Sequence, residues 1–171
     1  MSWQSTPVSI SLTEQQAMFH VKKVISENPA TFRCVKCASH PEISEEEALL
    51  GTSLHQGLRD FLAGFSNGMR FGDIQILPVR SKNNVKKTAN SIAFINSSTR
   101  SIWFGGDQET FDKFIIFATD GSRGCFSFNR EMGDLSRIWY WVQGDEKVIE
   151  LDYGFWAWLA ETIGQEKCIR N

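Results

Sequence analysis

Phe114-Ile115-Ile116-Phe117-Ala118-Thr119, then Asp120-Gly121-Ser122-Arg123-Gly124, then Cys125-Phe126-Ser127-Phe128-Asn129 is the stretch that decides the fold class. Two short runs rich in β-branched and aromatic residues flank a turn, and runs of this length suit strands better than helices. Glycine supplies the positive φ that a hairpin turn needs. Glycine-rich loops also cradle phosphates in other settings, but this one lacks the lysine and the following helix of a phosphate loop, so it reads as a plain hairpin.

Strand signals continue on both sides. Asp73 to Val79, Ser91 to Ile95 and Ile102 to Phe104 read as short strands before the hairpin, and Ile138 to Gln143 and Val148 to Leu151 as two more after it. The last two are joined by Gly144-Asp145-Glu146-Lys147, a hairpin connection. Helical periodicity lies at the ends. Thr13 with Gln16 forms a capping signal ahead of Ala17, Met18, Val21, Val24 and Ile25, and this helix should stop before Asn28-Pro29. Pro29 to Pro41 has no clear period and reads as a connector. A second helix should open at Ser44, with Glu45, Glu46 and Glu47 at the positive end of its dipole, and close at Gly51. A third should begin near Ser53 and set Leu54, Leu58, Phe61, Leu62 and Phe65 on one face up to Asn67-Gly68. A closing helix capped by Asp152 should turn Phe155, Leu159 and Ile163 inward and end at Gly164.

The expected architecture is therefore α+β: an antiparallel meander of strands packed against N-terminal helices and a closing C-terminal helix, with one sheet face covered. Residues 1–42 should form an N-terminal helix and connector, and residues 43–171 the α+β domain, as one globular unit overall. A chain of 171 residues, 42% of them hydrophobic, can bury a core without a metal or disulfide staple. No apolar run approaches the roughly 20 residues of a membrane span, and Met1 to Leu12 lacks the features of a secretory signal. Four cysteines are too sparse for a disulfide framework. These features place the expected home in the cytoplasm, and a net charge of -2 argues against direct nucleic-acid binding.

Leu49-Leu50-Gly51, Leu54, Leu58-Arg59-Asp60-Phe61-Leu62 and Asn67-Gly68 together resemble the opening of the SUKH superfamily, small domains related to the yeast cell-wall assembly regulator. Phe114 to Gly124 resembles that superfamily's strand-turn signature, and Phe155 to Leu159 its final helix. The resemblance spans roughly residues 43 to 164; the usual Leu-Pro before the third helix is Leu54-His55 here. It implies a SUKH-like fold without catalytic residues or a cofactor. It further implies a bacterial immunity protein, since members are widely found beside polymorphic toxins, often nucleases, which they neutralise by direct contact. The alternative is a regulatory or scaffold domain in a signalling or cell-envelope assembly, as the eukaryotic relatives are thought to be.

Residues able to carry chemistry are few. Cys34-Val-Lys-Cys37 with His40 offers two thiols and an imidazole at a spacing that zinc accepts, but a structural site needs a fourth ligand and usually a second close pair. A redox pair would need a helix directly after Cys34, and none is evident. A small zinc- or thiol-dependent protein is thus a third reading. His20 and His55 read as helix-surface residues, and no histidine pairs with a nucleophile. Asp107 and Glu109 could serve acid-base chemistry, but a short helix over Asp107 to Asp112 accounts for them equally. The reading is of a protein that is not an enzyme.

Charge is distributed unevenly. Val79 to Arg100 holds five basic residues and no acidic one, whereas Asp107 to Asp152 holds ten acidic against five basic. An acidic surface would steer towards a basic partner, and nuclease toxins are commonly basic because they grip phosphates. The candidate partner-binding residues are Asp107, Glu109, Asp112, Asp120, Asp145 and Glu146. Trp139 and Trp141 share one face of their strand, with Tyr140 on the other, and serve either as interface anchors or as core beneath a helix.

Overall fold

The computed structural model describes residues 12–97, 108–144 and 147–169. The elements run α1 (Glu14–Glu27), β1 (Arg33–Cys34), α2 (His40–Leu50), α3 (Gln56–Gly64), β2 (Met69–Phe71), β3 (Ile74–Ile76), α4 (Ile92–Ile95), α5 (Gln108–Asp112), β4 (Phe114–Thr119), β5 (Gly124–Asn129), β6 (Ile138–Val142), β7 (Val148–Glu150) and α6 (Phe155–Ile169). The strands form one seven-stranded sheet in the order of the chain, each antiparallel to the next. This is the α+β meander that the sequence implies.

Several local readings differ from the sequence expectation, among them the closing helix, which starts at Phe155 rather than directly after a cap at Asp152 and continues through Gly164 to Ile169. Arg33–Cys34, inside the presumed connector, adds an edge strand to β2, and β2 itself precedes the first strand read from the sequence. The second helix starts at His40 rather than Ser44, because Ser39 and Glu42 form a reciprocal capping box and Pro41 occupies an early position where its missing N–H costs nothing. Ser91 to Ile95 is not a strand: the Ser91 hydroxyl accepts from the Phe94 amide and starts a single helical turn. A run of four apolar residues has too little period to separate the two states. The expected strand at Ile102 to Phe104 falls outside the described residues. The expected short helix over Asp107 to Asp112 is present as α5.

The core is aromatic. Trp158 of α6, fully buried, meets Phe117 edge-on at 5.0 Å and Phe126 at 5.0 Å, and Phe155 packs on Phe61 of α3 at 5.6 Å. Such ring pairs add about 0.5–1.5 kcal/mol each beyond the area they bury. Glu14 of α1 accepts from the amides of Trp156 and Ala157, so a carboxylate from one helix caps the N-terminus of another. The opposite sheet face is covered too. Five of the six residues of β4 and of β5 are buried, with Trp139 and Trp141 lying under Phe111 and Phe114. The sequence had implied one covered face.

Between β3 and β4 the chain leaves the sheet, and buried side chains hold the excursion where ladder bonds are missing. Asn67 accepts from the Val79 amide and donates to the Val79 carbonyl, and Asn96 does the same with Ile116. Glu46, 1% exposed, accepts from the amides of Arg80 and Ala93. Each pairing satisfies backbone groups that would otherwise be orphaned in the interior.

Candidate partner-binding surface

The acidic candidates do not form one surface. Asp120 sits in the β4–β5 turn and is only 6% exposed. Its carboxylate accepts from the Ser122 amide and hydroxyl, the Gly124 amide and the Tyr140 hydroxyl. Burial pushes this carboxyl up, but the four donors outweigh it and hold the group below its ordinary range. The same burial, with the Asp120 charge beside it, drives the Tyr140 hydroxyl well above its usual value. A Cβ at position 124 would fall on the Asp120 carboxylate, so only glycine fits there. Asp120 is spent on closing the hairpin. Asp107, Asp145 and Glu146 lie outside the described residues.

Glu109 and Asp112 stand at the other end of β4, on α5. The six residues between them and the hairpin span roughly 20 Å at strand rise. The Glu109 side chain is 90% exposed, with Lys113 at 3.9 Å, an open pair worth little in water. Trp141, 3% exposed, packs against Phe111 at 5.6 Å beneath this short helix, and half-buried Trp139 packs against Phe114 at 5.4 Å. Both tryptophans are set into the support of the surface.

What joins Glu109 and Asp112 is the loop between β5 and β6. The Arg130 amide donates to the Lys113 carbonyl, which brings the loop beside the C-terminus of α5, and the Arg130 guanidinium donates to the Leu50 carbonyl at the end of α2. Asp134 caps α3 from this loop by accepting from the Gln56 amide. The resulting end of the molecule exposes apolar side chains: Leu135 at 84%, Leu49 at 72% and Met132 at 42%. Glu131 and Asp134 share this loop with Met132 and Leu135, Glu109 and Asp112 belong to the short helix whose end Arg130 ties to it, and the cations Lys113, Arg59 and Arg137 are ion-paired with Glu109, Glu47 and Asp152. Sequence reading had passed over Met132 and Leu135. Their signal was two large apolar residues inside a turn otherwise built of Glu131, Gly133 and Asp134.

His55 is not a free surface residue. It caps α3, its Nδ1 accepting from the Gly57 amide, and its ring stacks on Phe128 at 4.3 Å. Burial lowers its pKa, against the charges of Asp134 and Glu14, which raise it. His20 is exposed on α1. Cys34, Cys37 and His40 are all exposed, and among the described residues no group of three histidine, cysteine or acidic side chains is arranged to hold a metal ion. No described helix is long and apolar enough to cross a membrane.

The pattern of the SMI1-KNR4 cell-wall family, SUKH_6, matches residues 41–159 of the chain, from the first turn of α2 to the first half of α6. No curated protein shows a significant match.

Proposed function

Because the chain belongs to the SMI1-KNR4 cell-wall family, we propose that it works without catalysis, by binding another protein, and that its partner is a basic toxin domain which it neutralises by direct contact. Membership of the family accords with an immunity or regulatory role. The observation that favours the immunity reading is that the β5–β6 loop, tied by Arg130 to the end of α5 and to Leu50, exposes Met132 and Leu135 between the acidic Glu131 and Asp134, with exposed Leu49 on α2 and Glu109 and Asp112 on α5 in the elements it is tied to. An apolar centre supplies the desolvated anchor, and a rim of one charge steers an oppositely charged partner and sets its register.

The test is calorimetry at two salt concentrations between this protein and an inactivated C-terminal domain of a large secreted protein encoded beside it. The expected result is tight binding that weakens with salt. Leu135→Asp should weaken it by tenfold or more, since a buried leucine contributes about 1.5–3 kcal/mol. The triple reversal Glu109→Lys, Asp112→Lys and Glu131→Lys should slow association and flatten the salt dependence. Unchanged affinity in both variants removes this end from the interface. No binding by the parent protein overturns the immunity reading in favour of a regulatory scaffold.

A further inference from the structure

His55 stands where α3 meets the β5–β6 loop, and its half-buried ring is engaged with both. Its Nδ1 accepts from the Gly57 amide at 3.1 Å, so this nitrogen carries no proton. The ring stacks on Phe128 of β5 at 4.3 Å and is hydrogen-bonded to the backbone of Asp134 in the loop. Asp134 ties back in turn, its carboxylate accepting from the Gln56 amide at 2.8 Å. One neutral imidazole thus fastens the first turn of α3 to the loop that exposes Met132 and Leu135.

A proton on Nδ1 turns the acceptor into a second donor facing the Gly57 N–H. It also puts positive charge at the N-terminus of a helix, where the macrodipole disfavours it. The helix has no room to back away, since a Cβ at Gly57 would lie 2.9 Å from the Cβ of Phe155 on α6. The ring must swing out instead, and the stack on Phe128 and the bond to Asp134 go with it. The acids that face the ring are Asp134 from the loop, Glu14 from α1 and Asp60 from α3, and all three favour the cation. Each already accepts a hydrogen bond: Asp134 from the Gln56 amide, Glu14 from the Trp156 and Ala157 amides, and Asp60 from the Gln56 side chain. Arg130 lines the small pocket beside the ring and opposes the cation. Burial outweighs the acids, so the fastened ring resists protonation.

We propose that His55 is a pH-sensitive joint, which holds the β5–β6 loop against α3 while neutral and lets the loop open when protonated. A ring that resists the proton in place accepts it once swung out, so acid shifts the population towards the open loop below the ordinary histidine value of 6.5. Its effect on binding rests on the partner surface proposed above, because Glu131, Met132 and Leu135 belong to this loop.

The experiment is amide hydrogen exchange on the full chain, followed by NMR at about pH 7.5 and about pH 5, above and below the histidine range but clear of the carboxylates. After correction for the intrinsic pH dependence of exchange, the Gly57, Leu135 and Ser136 amides, all hydrogen-bonded in the closed arrangement, should lose protection about fivefold in acid, the factor set by one hydrogen bond. The β5 amides should keep theirs. His55→Asn supplies a cap that does not titrate and should hold the protection constant. Constant protection in the parent, a loss retained in His55→Asn, or a loss shared by β5 overturns the joint. Calorimetry with the inactivated toxin domain at the same two pH values should show affinity falling by a similar factor in the parent and not in His55→Asn. The exchange measurement needs no partner, so absence of binding sinks the immunity reading alone, and pH-independent affinity beside a loop that opens removes the loop from the interface.

Discussion

Replacing Asp120 by alanine should destabilise the protein by about 3–4 kcal/mol. The carboxylate receives four hydrogen bonds, and two of their donors cannot turn to water: the Gly124 amide is buried at the start of β5 and the Tyr140 hydroxyl is buried in β6. Each buried donor left without an acceptor costs about 1–3 kcal/mol. Ser122 is exposed, so its amide and hydroxyl lose little. Asp120→Asn keeps the shape and an acceptor for the turn amides and should cost less, about 1–2 kcal/mol, while Tyr140→Phe removes one bond to a charged group, about 1.5–3 kcal/mol. The two sites touch, so their effects should not add, and a double-mutant cycle should return a coupling of about 1–2 kcal/mol. Urea unfolding measures all of these through the midpoint at constant slope. The pH dependence supplies a second readout. The folded carboxyl titrates below its ordinary range, so the unfolded chain takes up the proton first. The stabilisation is complete above about pH 4 and is lost as pH falls through the folded value. Asp120→Asn should lack this acid limb. An alanine variant within about 1 kcal/mol of the parent would refute the account of the hairpin as a structure closed by a buried carboxylate.

Asn67→Ala should cost about 2–4 kcal/mol in the same assay, because both backbone groups of Val79 lose their partner in the interior. Glu14→Gln should cost about 1 kcal/mol by weakening the cap on α6, with a smaller effect in high salt. The lowered pKa of His55 means that the unfolded chain protonates first; stability should decline as pH drops from the unfolded value of 6.5 towards the folded one, and His55→Asn should remove that slope. Native protein should expose Cys34 and Cys37 to a thiol reagent within minutes, while Cys125, whose thiol burial pushes up to about 12, should react only on unfolding.

The elements that the sequence revealed are those whose side chains carry their own local signal. The capping box of Thr13 and Gln16, the amphipathic face around Phe61, and the apolar runs on either side of Asp120 each need nothing distant to be read. Where the reading failed, tertiary contacts decide. β1 is two residues long and exists because β2 offers it an edge. The turn at Ile92–Ile95 is positioned by Glu46, which lies 47 residues away from Ala93 in the chain. The acidic candidates follow the same division. Charge counting marked the region from Asp107 to Asp152 as acidic, but only the hydrogen bonds separate Asp120, held in its turn, from Glu109 and Asp112, which are exposed on α5.

That separation bears on how such a fold can change partners. The polar groups that fix the architecture, Asn67, Asn96, Glu46 and Asp120, are each at most 7% exposed, and each satisfies backbone groups that no ladder reaches. Altering any of them leaves a buried donor or acceptor orphaned, so they are tied to the fold. Leu49, Glu109, Glu131, Met132 and Leu135 are exposed and hold no strand or helix in place through their side chains. Substitutions among them fall within the range of about 0.5 kcal/mol that surface changes typically produce. The β5–β6 loop keeps its course because Arg130, Asp134 and Ser136 bind it to Leu50, Gln56 and Asn129 from within. The exposed residues between those three ties are therefore free to vary in charge and shape, which is the property a surface needs if it is to match one partner and refuse another.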